Sequence, residues 1–532
     1  MAPEPHSTSA LARSAASSGA ATMTSRILGL ARDQVLAYQF GASAAMDAYN
    51  VAFRVPNLVR DLFAEGAMSA AFVPTFTKHL TSSGKESAWR LGNNVVNALL
   101  VVTGCLVVLG IIFAEPLVAA FTAERFTRTQ LPLTVQLARI MLPALTLIAL
   151  AAAFMGMLNS LHHYFIPALS PAMFNVVTIA SVFALVPILP AFGIEPITAV
   201  AIGTLLGGVA QLALQWPTLR HEGFRYRPVL DWNDAGLRRV LALMGPGTAG
   251  LAATQVNIFV NQLLATGTVD GAVTWLQYAF RVMYLPIGLF GVSIATAALP
   301  AVSRQHHLDD RQAVRGTVAN SLSLMLMLNV PAMVGLMVLA EPIVRVIFEH
   351  GEFTEVDTLA TAAALRFYAL GLLAYSVVRI VSPVFYALGR NRTPVLVSIV
   401  TVLINAGLNV TLVRVLGYRG LALGTSIAAL FNAAVLLTLL RGHLGGLQEG
   451  RLASSFARVA AASAVMGVAA STADGALASV LPGDGVVLQI VRLASTIGIA
   501  LVVLAGASWL LRIREFTESV SLVTKRLRRA GR

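Results

Sequence analysis

Runs of about twenty apolar residues recur along the chain, separated by short polar or charged gaps. They predict fourteen helices, over residues 13–40, 47–77, 91–113, 132–158, 166–189, 196–216, 240–265, 272–301, 317–340, 360–388, 394–413, 420–440, 456–480 and 487–511. Each is about the length that crosses 30 Å of hydrocarbon. The pattern also repeats at an offset of 226–227 residues: Arg54-Val55 answers Arg281-Val282, Leu62-Phe63 answers Leu289-Phe290, and Pro74 answers Pro300. Asn94 likewise matches Asn320, Glu115-Pro116 matches Glu341-Pro342, and Arg139 matches Arg366. Equivalent positions lie six predicted helices apart, so the two copies share one membrane orientation. The expected fold is therefore an all-α polytopic membrane protein: an N-terminal lobe over 1–220, a parallel C-terminal lobe over 221–445, and an appended helix pair with a basic tail over 446–532. In repeats of this kind the substrate site lies at the repeat interface.

Composition agrees with that class. Of 532 residues, 57% are hydrophobic and 12% charged, against about 25% charged in soluble domains. A single cysteine, Cys105, excludes an internal disulfide and a multi-cysteine metal site. The first residues lack the basic start and uninterrupted apolar run of a cleavable signal peptide. The net charge of +13 comes from 35 Arg and 3 Lys against 25 acids. These cations follow sidedness: five fall in 217–239 and seven beyond 511, while all the odd-numbered gaps together hold five. That asymmetry places both termini of a multi-pass membrane protein in the cytoplasm and argues against nucleic acid as the partner. The tail Lys525–Arg532 reads as a segment resting on anionic lipid or as a topology signal.

The stretch Ser25–Glu65 carries more charge than an apolar segment tolerates. Arg26, Arg32, Asp33, Asp47, Arg54, Arg60, Asp61 and Glu65 lie in or beside two predicted helices, and an Arg near a bilayer centre costs about 2.5–3.5 kcal/mol on insertion scales. At 100° per residue, Arg26 and Asp33 share a face, and Arg54, Asn57, Asp61 and Glu65 form one stripe. Either these charges pair to hold helices together, or they line a wet cavity that receives an anion. Arg281 sharpens the second reading, because it is the only charged residue between Ala272 and Ser303 and has Tyr278 and Tyr284 on either side. A planar guanidinium offers paired donors suited to a diphosphate. Pro56, Gly66, Pro286, Gly288 and Gly291 predict bent helices around these arginines. A milder polar set, Gln255, Asn257, Asn261, Asn405, Asn409 and Thr425, reads as interhelical hydrogen bonding, with a cation site as the alternative for Asn261, Asn405, Asn409 and Thr425.

Enzyme signatures are missing: there is no Walker A sequence, GxSxG or HExxH. Neither a catalytic residue, a metal nor a cofactor is expected.

The runs Ser25–Asp33 (SRILGLARD), Ala52–Pro74 and Arg281–Gly291 (RVMYLPIGLFG) closely resemble the MurJ/MviN lipid II flippases of the multidrug/oligosaccharidyl-lipid/polysaccharide exporter superfamily. The resemblance covers essentially the whole chain. It implies fourteen helices in two lobes plus a terminal pair, and transport of an undecaprenyl-diphosphate-linked disaccharide-pentapeptide to the outer leaflet for peptidoglycan synthesis. By motif, the family's cavity arginines fall on Arg26, Arg32, Arg60 and Arg281, and its acids on Asp47 and Glu65. Helices 13 and 14 would hold the polyprenyl tail. The chain departs from relatives at Asp61, where many have Arg, and at Phe280 and Tyr284, where acids are common. Its Asn261, Asn405, Asn409 and Thr425 set carries no carboxylate.

The expected function is lipid II flipping by alternating access, with a basic central cavity holding the diphosphate headgroup. The partners implied are lipid II, membrane lipids and other cell-wall synthesis proteins. A flippase for another polyprenyl-linked glycan, or a drug/cation antiporter of the same superfamily, is the alternative. A third class, a membrane scaffold or glycosyltransferase, would call for a catalytic acid and a metal loop outside the membrane.

Overall fold

The computed structural model describes residues 8–61, 66–483 and 485–518, with side-chain surroundings given outside 8–18, 59–60, 66–70, 245–254, 289 and 292. Glu65 and the tail Lys525–Arg532 lie outside the described residues, as does the side chain of Arg60. Every described element is helical, and ten described helices are long and apolar enough to cross a membrane. The chain divides into two compact units, Met1–Thr274 and Trp275–Arg532.

In the first unit, α1 (Thr8–Phe40) stops at Gly41, whose φ of 58° suits a residue without Cβ. Ser43 then caps α2 (Ala44–Arg60), its hydroxyl accepting from the Met46 N–H at 3.3 Å. The sequence predicts one helix over 47–77. α2 is described to Arg60, with Asp61 still in helical conformation, and α3 (Gly66–Ile112) from Gly66; residues 62–65 of that span lie outside the described residues. α3 itself doubles back at Gly84 (φ 81°, ψ 175°). Phe76 and Trp89 would stand about 20 Å apart on a straight helix, yet their rings are 5.7 Å apart. His79 Nδ1 and Ser87 Oγ meet at 3.0 Å across the same bend.

Next come α4 (Ala114–Ala120), α5 (Glu124–Met141), α6 (Ala144–Ser160), α7 (Phe165–Leu185), α8 (Thr198–His221) and α9 (Ala235–Thr266). The span predicted over 132–158 is split at Pro143 into α5 and α6. α3, α6, α8 and α9 surround an aromatic core in which Phe72, Phe76 and Phe224 are fully buried. Between α8 and α9 the chain runs extended through Phe224–Leu230 and is held by side chains of α3. Asn93 donates to the Arg225 carbonyl at 3.0 Å and accepts from the Arg227 N–H at 2.8 Å. Asn94 brackets Asp231 in the same way, at 2.9 and 2.8 Å. Asn97 donates to the carbonyls of Arg227 and Val229 and accepts from the Tyr226 hydroxyl at 2.8 Å. Backbone groups that no ladder satisfies are thus satisfied by amides.

The second unit takes up α10 (Ala272–Pro286) after its first turn. After Pro286, α10 passes through a π-type turn, Ile287–Gly291, into α11 (Val292–His307), so the helix expected over 272–301 is interrupted by a π segment beside the residues expected to bend it. The unit continues with α12 (Arg311–Val338), α13 (Ala340–Phe348), α14 (Glu355–Ala387), α15 (Arg392–Leu416), α16 (Tyr418–Leu444), α17 (Glu449–Val480) and α18 (Val486–Leu510). α17 and α18 pack on each other and α17 on α12, where a Cβ on Gly467 would come within 2.7 Å of Val334. The short helices α4 and α13 are absent from the hydropathy reading. Both open on the repeated Glu-Pro pair, Glu115-Pro116 and Glu341-Pro342, with Pro early in the helix, where its missing N–H costs nothing.

Candidate functional site

The arginines singled out in the sequence have different surroundings in the two units. On α1, Arg26 is exposed and Arg32 half-buried. Arg32 pairs with its neighbour Asp33, Nη2 to Oδ1 at 2.8 Å, and Asp33 is buried. The Arg32 guanidinium also lies 5.9 Å from the centroid of Phe174 on α7. Phe174 continues a stack through Phe53 (6.4 Å) to Tyr49 (5.6 Å) on α2. Gly207 makes room for it, since a Cβ there would stand 2.7 Å from the Phe174 ring.

On α2 the predicted stripe meets α9. Arg54 Nη2 lies 3.5 Å from Gln255 Oε1, and Gln255 donates to Asp61 Oδ2 at 3.3 Å, so a neutral amide joins the two charges. Asn57 on the same stripe is buried. The sequence reading gave Gln255 an interhelical hydrogen-bonding role, but its position opposite the charged stripe was not visible in one helix alone. Asp47, at the other end of α2, is directed at the start of α10. Its carboxylate accepts from the Gly271 N–H at 2.7 Å and from the N–H and hydroxyl of Thr274 at 2.9 and 2.6 Å. A buried carboxylate held by three donors at a helix N-terminus is a capping group.

In the second unit Arg281 sits half-buried on α10. Of the tyrosines beside it, Tyr278 is buried and stacked on Phe348 at 4.6 Å. Tyr284 instead binds Arg379 of α14, which was unassigned in the sequence, and the guanidinium lies 5.8 Å from its ring centroid. Phe280 packs among Tyr284, Tyr368 and Tyr375. An aromatic cluster thus stands one turn from Arg281.

The polar set of α15 and α16 forms a helix contact. Asn409 donates to Asn405, both are buried, and Thr425 returns its hydroxyl to the Leu421 carbonyl at 2.7 Å. Gly424 lets the helices close, because a Cβ there would stand 2.0 Å from Asn409 Oδ1. Asn261 lies half-buried on α9 in the first unit.

Long apolar helices interrupted at prolines, with buried amides at their contacts and arginines along polar stripes, define a polytopic membrane transporter. The family model described as "Lipid II flippase MurJ" matches residues 36–483, and the chain belongs to that family. A probable lipid II flippase MurJ of Rhizobium tropici is 35% identical over 84% of both chains. One of Rickettsia prowazekii is 30% identical over 94% of this chain and 97% of the relative. Among solved structures, a lipid II flippase MurJ in an inward closed conformation superposes with a TM-score of 0.75 at 28% identity, over 93% of this chain and 98% of that one. An inward-facing multidrug resistance MATE transporter shares the fold, with a TM-score of 0.68 at 16% identity over 80% of this chain.

Proposed function

We infer that this chain flips lipid II, the undecaprenyl-diphosphate-linked peptidoglycan precursor, from the inner to the outer leaflet of the cytoplasmic membrane. It is a transporter and not an enzyme. The observation that carries this is the match to the lipid II flippase family model over 36–483, supported by relatives of that name along nearly the whole chain.

The finer reading is the following. Fourteen helices form two parallel six-helix lobes, 1–220 and 221–445, with 446–532 as an appended pair and tail, and both termini face the cytoplasm. Arg26, Arg32, Arg60 and Arg281 hold the diphosphate, with Arg54, Asn57, Asp47 and Glu65 shaping the site. The Arg32 guanidinium, oriented by Asp33 and set against Phe174, supports this role. A diphosphate cannot enter hydrocarbon unaided, and a basic wet cavity removes most of that barrier. Alternation of the lobes then carries the headgroup across while the polyprenyl tail stays in lipid. The Asn405–Asn409 contact with Gly424 favours packing over cation binding for that set.

Depleting the protein in its host and following lipid II in each leaflet tests this. Inner-leaflet accumulation, rescued by the native chain and not by Arg32→Ala or Arg281→Ala, is the expected result. Normal growth with both arginines replaced would remove the headgroup role, and unchanged lipid II distribution on depletion would remove the flippase reading.

A further inference from the structure

A cleft lies where α17 begins and α18 ends. α18 finishes in a Schellman turn: the Ile513 N–H donates to the Ser508 carbonyl at 3.0 Å and the Arg512 N–H to Trp509 at 3.1 Å. The left-handed position of that turn, usually glycine, is held by Arg512 at φ 51°. The turn sends Ile513–Glu515 back against α17, where Ile513 packs with Val330, Val459 and Ala462. A cleft of about 190 Å³ opens there, lined by Arg451, Ser454, Ser455, Arg458, Ile513, Arg514 and Glu515.

The polar groups of this cleft are unevenly matched. Arg514 pairs with Glu518. Arg451 reaches only Gln448 Oε1, and Arg458 only the Arg512 carbonyl, each at 3.3 Å. Neither has a carboxylate within ion-pair distance among the described residues. At the floor lies Ser455, 6% exposed, whose hydroxyl has no hydrogen-bond partner. A buried hydroxyl of that kind costs stability unless something in the cleft bonds it. Three guanidinium groups, one acid and an orphaned hydroxyl call for an anion with several acceptor oxygens. Beside the cleft, Phe456, Trp509 and Leu510 are exposed, at 42%, 70% and 72%. Apolar and aromatic side chains at the end of a membrane helix sit at headgroup level, next to acyl chains.

We propose that this cleft binds the phosphate of an anionic membrane lipid, with Arg451, Arg458 and Arg514 around the phosphate, Ser455 donating to it, and the acyl chains lying along Phe456 and Trp509. The site is separate from the arginines of α1, α2 and α10 and does not depend on what the chain transports.

The test is native mass spectrometry of the full chain in detergent, titrated with phosphatidylglycerol, phosphatidylcholine or inorganic phosphate. Phosphatidylglycerol should be retained in preference to phosphatidylcholine, and inorganic phosphate should not displace it. Arg451→Gln with Arg458→Gln should weaken that retention about thirtyfold. Ser455→Ala removes a group with no protein partner, so it should leave the melting temperature in phosphatidylcholine unchanged and lower phosphatidylglycerol affinity about fivefold. Should the double variant not fold, Ser455→Ala decides alone. Equal retention of the two lipids, or phosphatidylglycerol binding indifferent to these substitutions, overturns the proposal. Displacement by inorganic phosphate overturns its assignment to a lipid.

Discussion

Both donors of Thr274, its backbone N–H and its hydroxyl, converge on one carboxylate oxygen of Asp47, at 2.9 and 2.6 Å. The other oxygen takes the Gly271 N–H, and Asn50 completes the group by donating to the Thr274 hydroxyl at 3.0 Å. The first turn of α10 is therefore tied to α2 through buried polar atoms that have no water to fall back on.

Asp47→Ala should cost about 2–4 kcal/mol, the combined scale of a lost cap and stranded buried donors. Thr274→Val keeps the backbone bond and should cost about 2 kcal/mol, part of it from the Asn50 amide left behind. Thermal unfolding of the detergent-solubilised protein reads both, and equal melting temperatures for Asp47→Ala and the native chain would remove the capping role.

At the α15–α16 contact the limiting distance is that from Gly424 to the Asn409 amide oxygen. Gly424→Ala should destabilise by about 1–3 kcal/mol through overpacking. Adding Asn409→Ala should recover part of that loss, because the clashing oxygen is gone. A double-mutant cycle on the unfolding free energy checks the sign of the coupling.

The extended segment between α8 and α9 carries Arg225 and Arg227, and its backbone is held by Asn93, Asn94 and Asn97. Asn97→Ala should free the Arg227 and Val229 carbonyls and speed tryptic cleavage after these arginines several-fold. Asn320→Ala, the repeat equivalent on an exposed position of α12, should change nothing.

Glu222 follows α8 and is bonded by His163 Nε2 at 2.8 Å and Lys85 Nζ at 3.0 Å. The His163 bond first, and Lys85 second, hold its carboxyl below the usual value of 4.5. A lowered folded-state pKa contributes stability that is full above the unfolded pKa and lost as pH falls through the lower folded one. The partners are largely solvent-facing, so the size is at most about 1 kcal/mol. The melting-temperature gap between the native chain and Glu222→Gln should thus be steady near neutral pH and close below about pH 4. A gap that widened on acidification would contradict the assigned sign.

Replacing Arg281 by Lys tests geometry apart from charge. A point charge on a flexible stem does not reproduce the guanidinium fork, so Arg281→Lys should rescue depletion far less well than the native chain, at equal membrane abundance.

The helices were legible because membrane burial demands long apolar runs, and the repeat was legible because residues such as Glu115-Pro116 and Glu341-Pro342 recur at a fixed offset. The breaks were partly so: Pro286 announced the π-type turn after α10, and the bend at Gly84 falls in the gap left between the helices predicted over 47–77 and 91–113. Arg54 and Asp61 of the α2 stripe meet Gln255, which lies 201 positions away from Arg54, and periodicity within one helix carries no information about its neighbour. Asp47 was read as an acid beside a cavity. Its bonds to Gly271 and Thr274 depend on where α10 starts in space, which hydropathy leaves open.

The three amides of α3 have a consequence for drift. Because Asn93, Asn94 and Asn97 grip main-chain atoms, the side chains of 224–231 contribute little to fixing their own path, Phe224 and Tyr226 apart. Substitutions at Val229 or Leu230 should pass almost unnoticed by selection, while loss of a single asparagine on the opposite helix would unfasten the whole crossing.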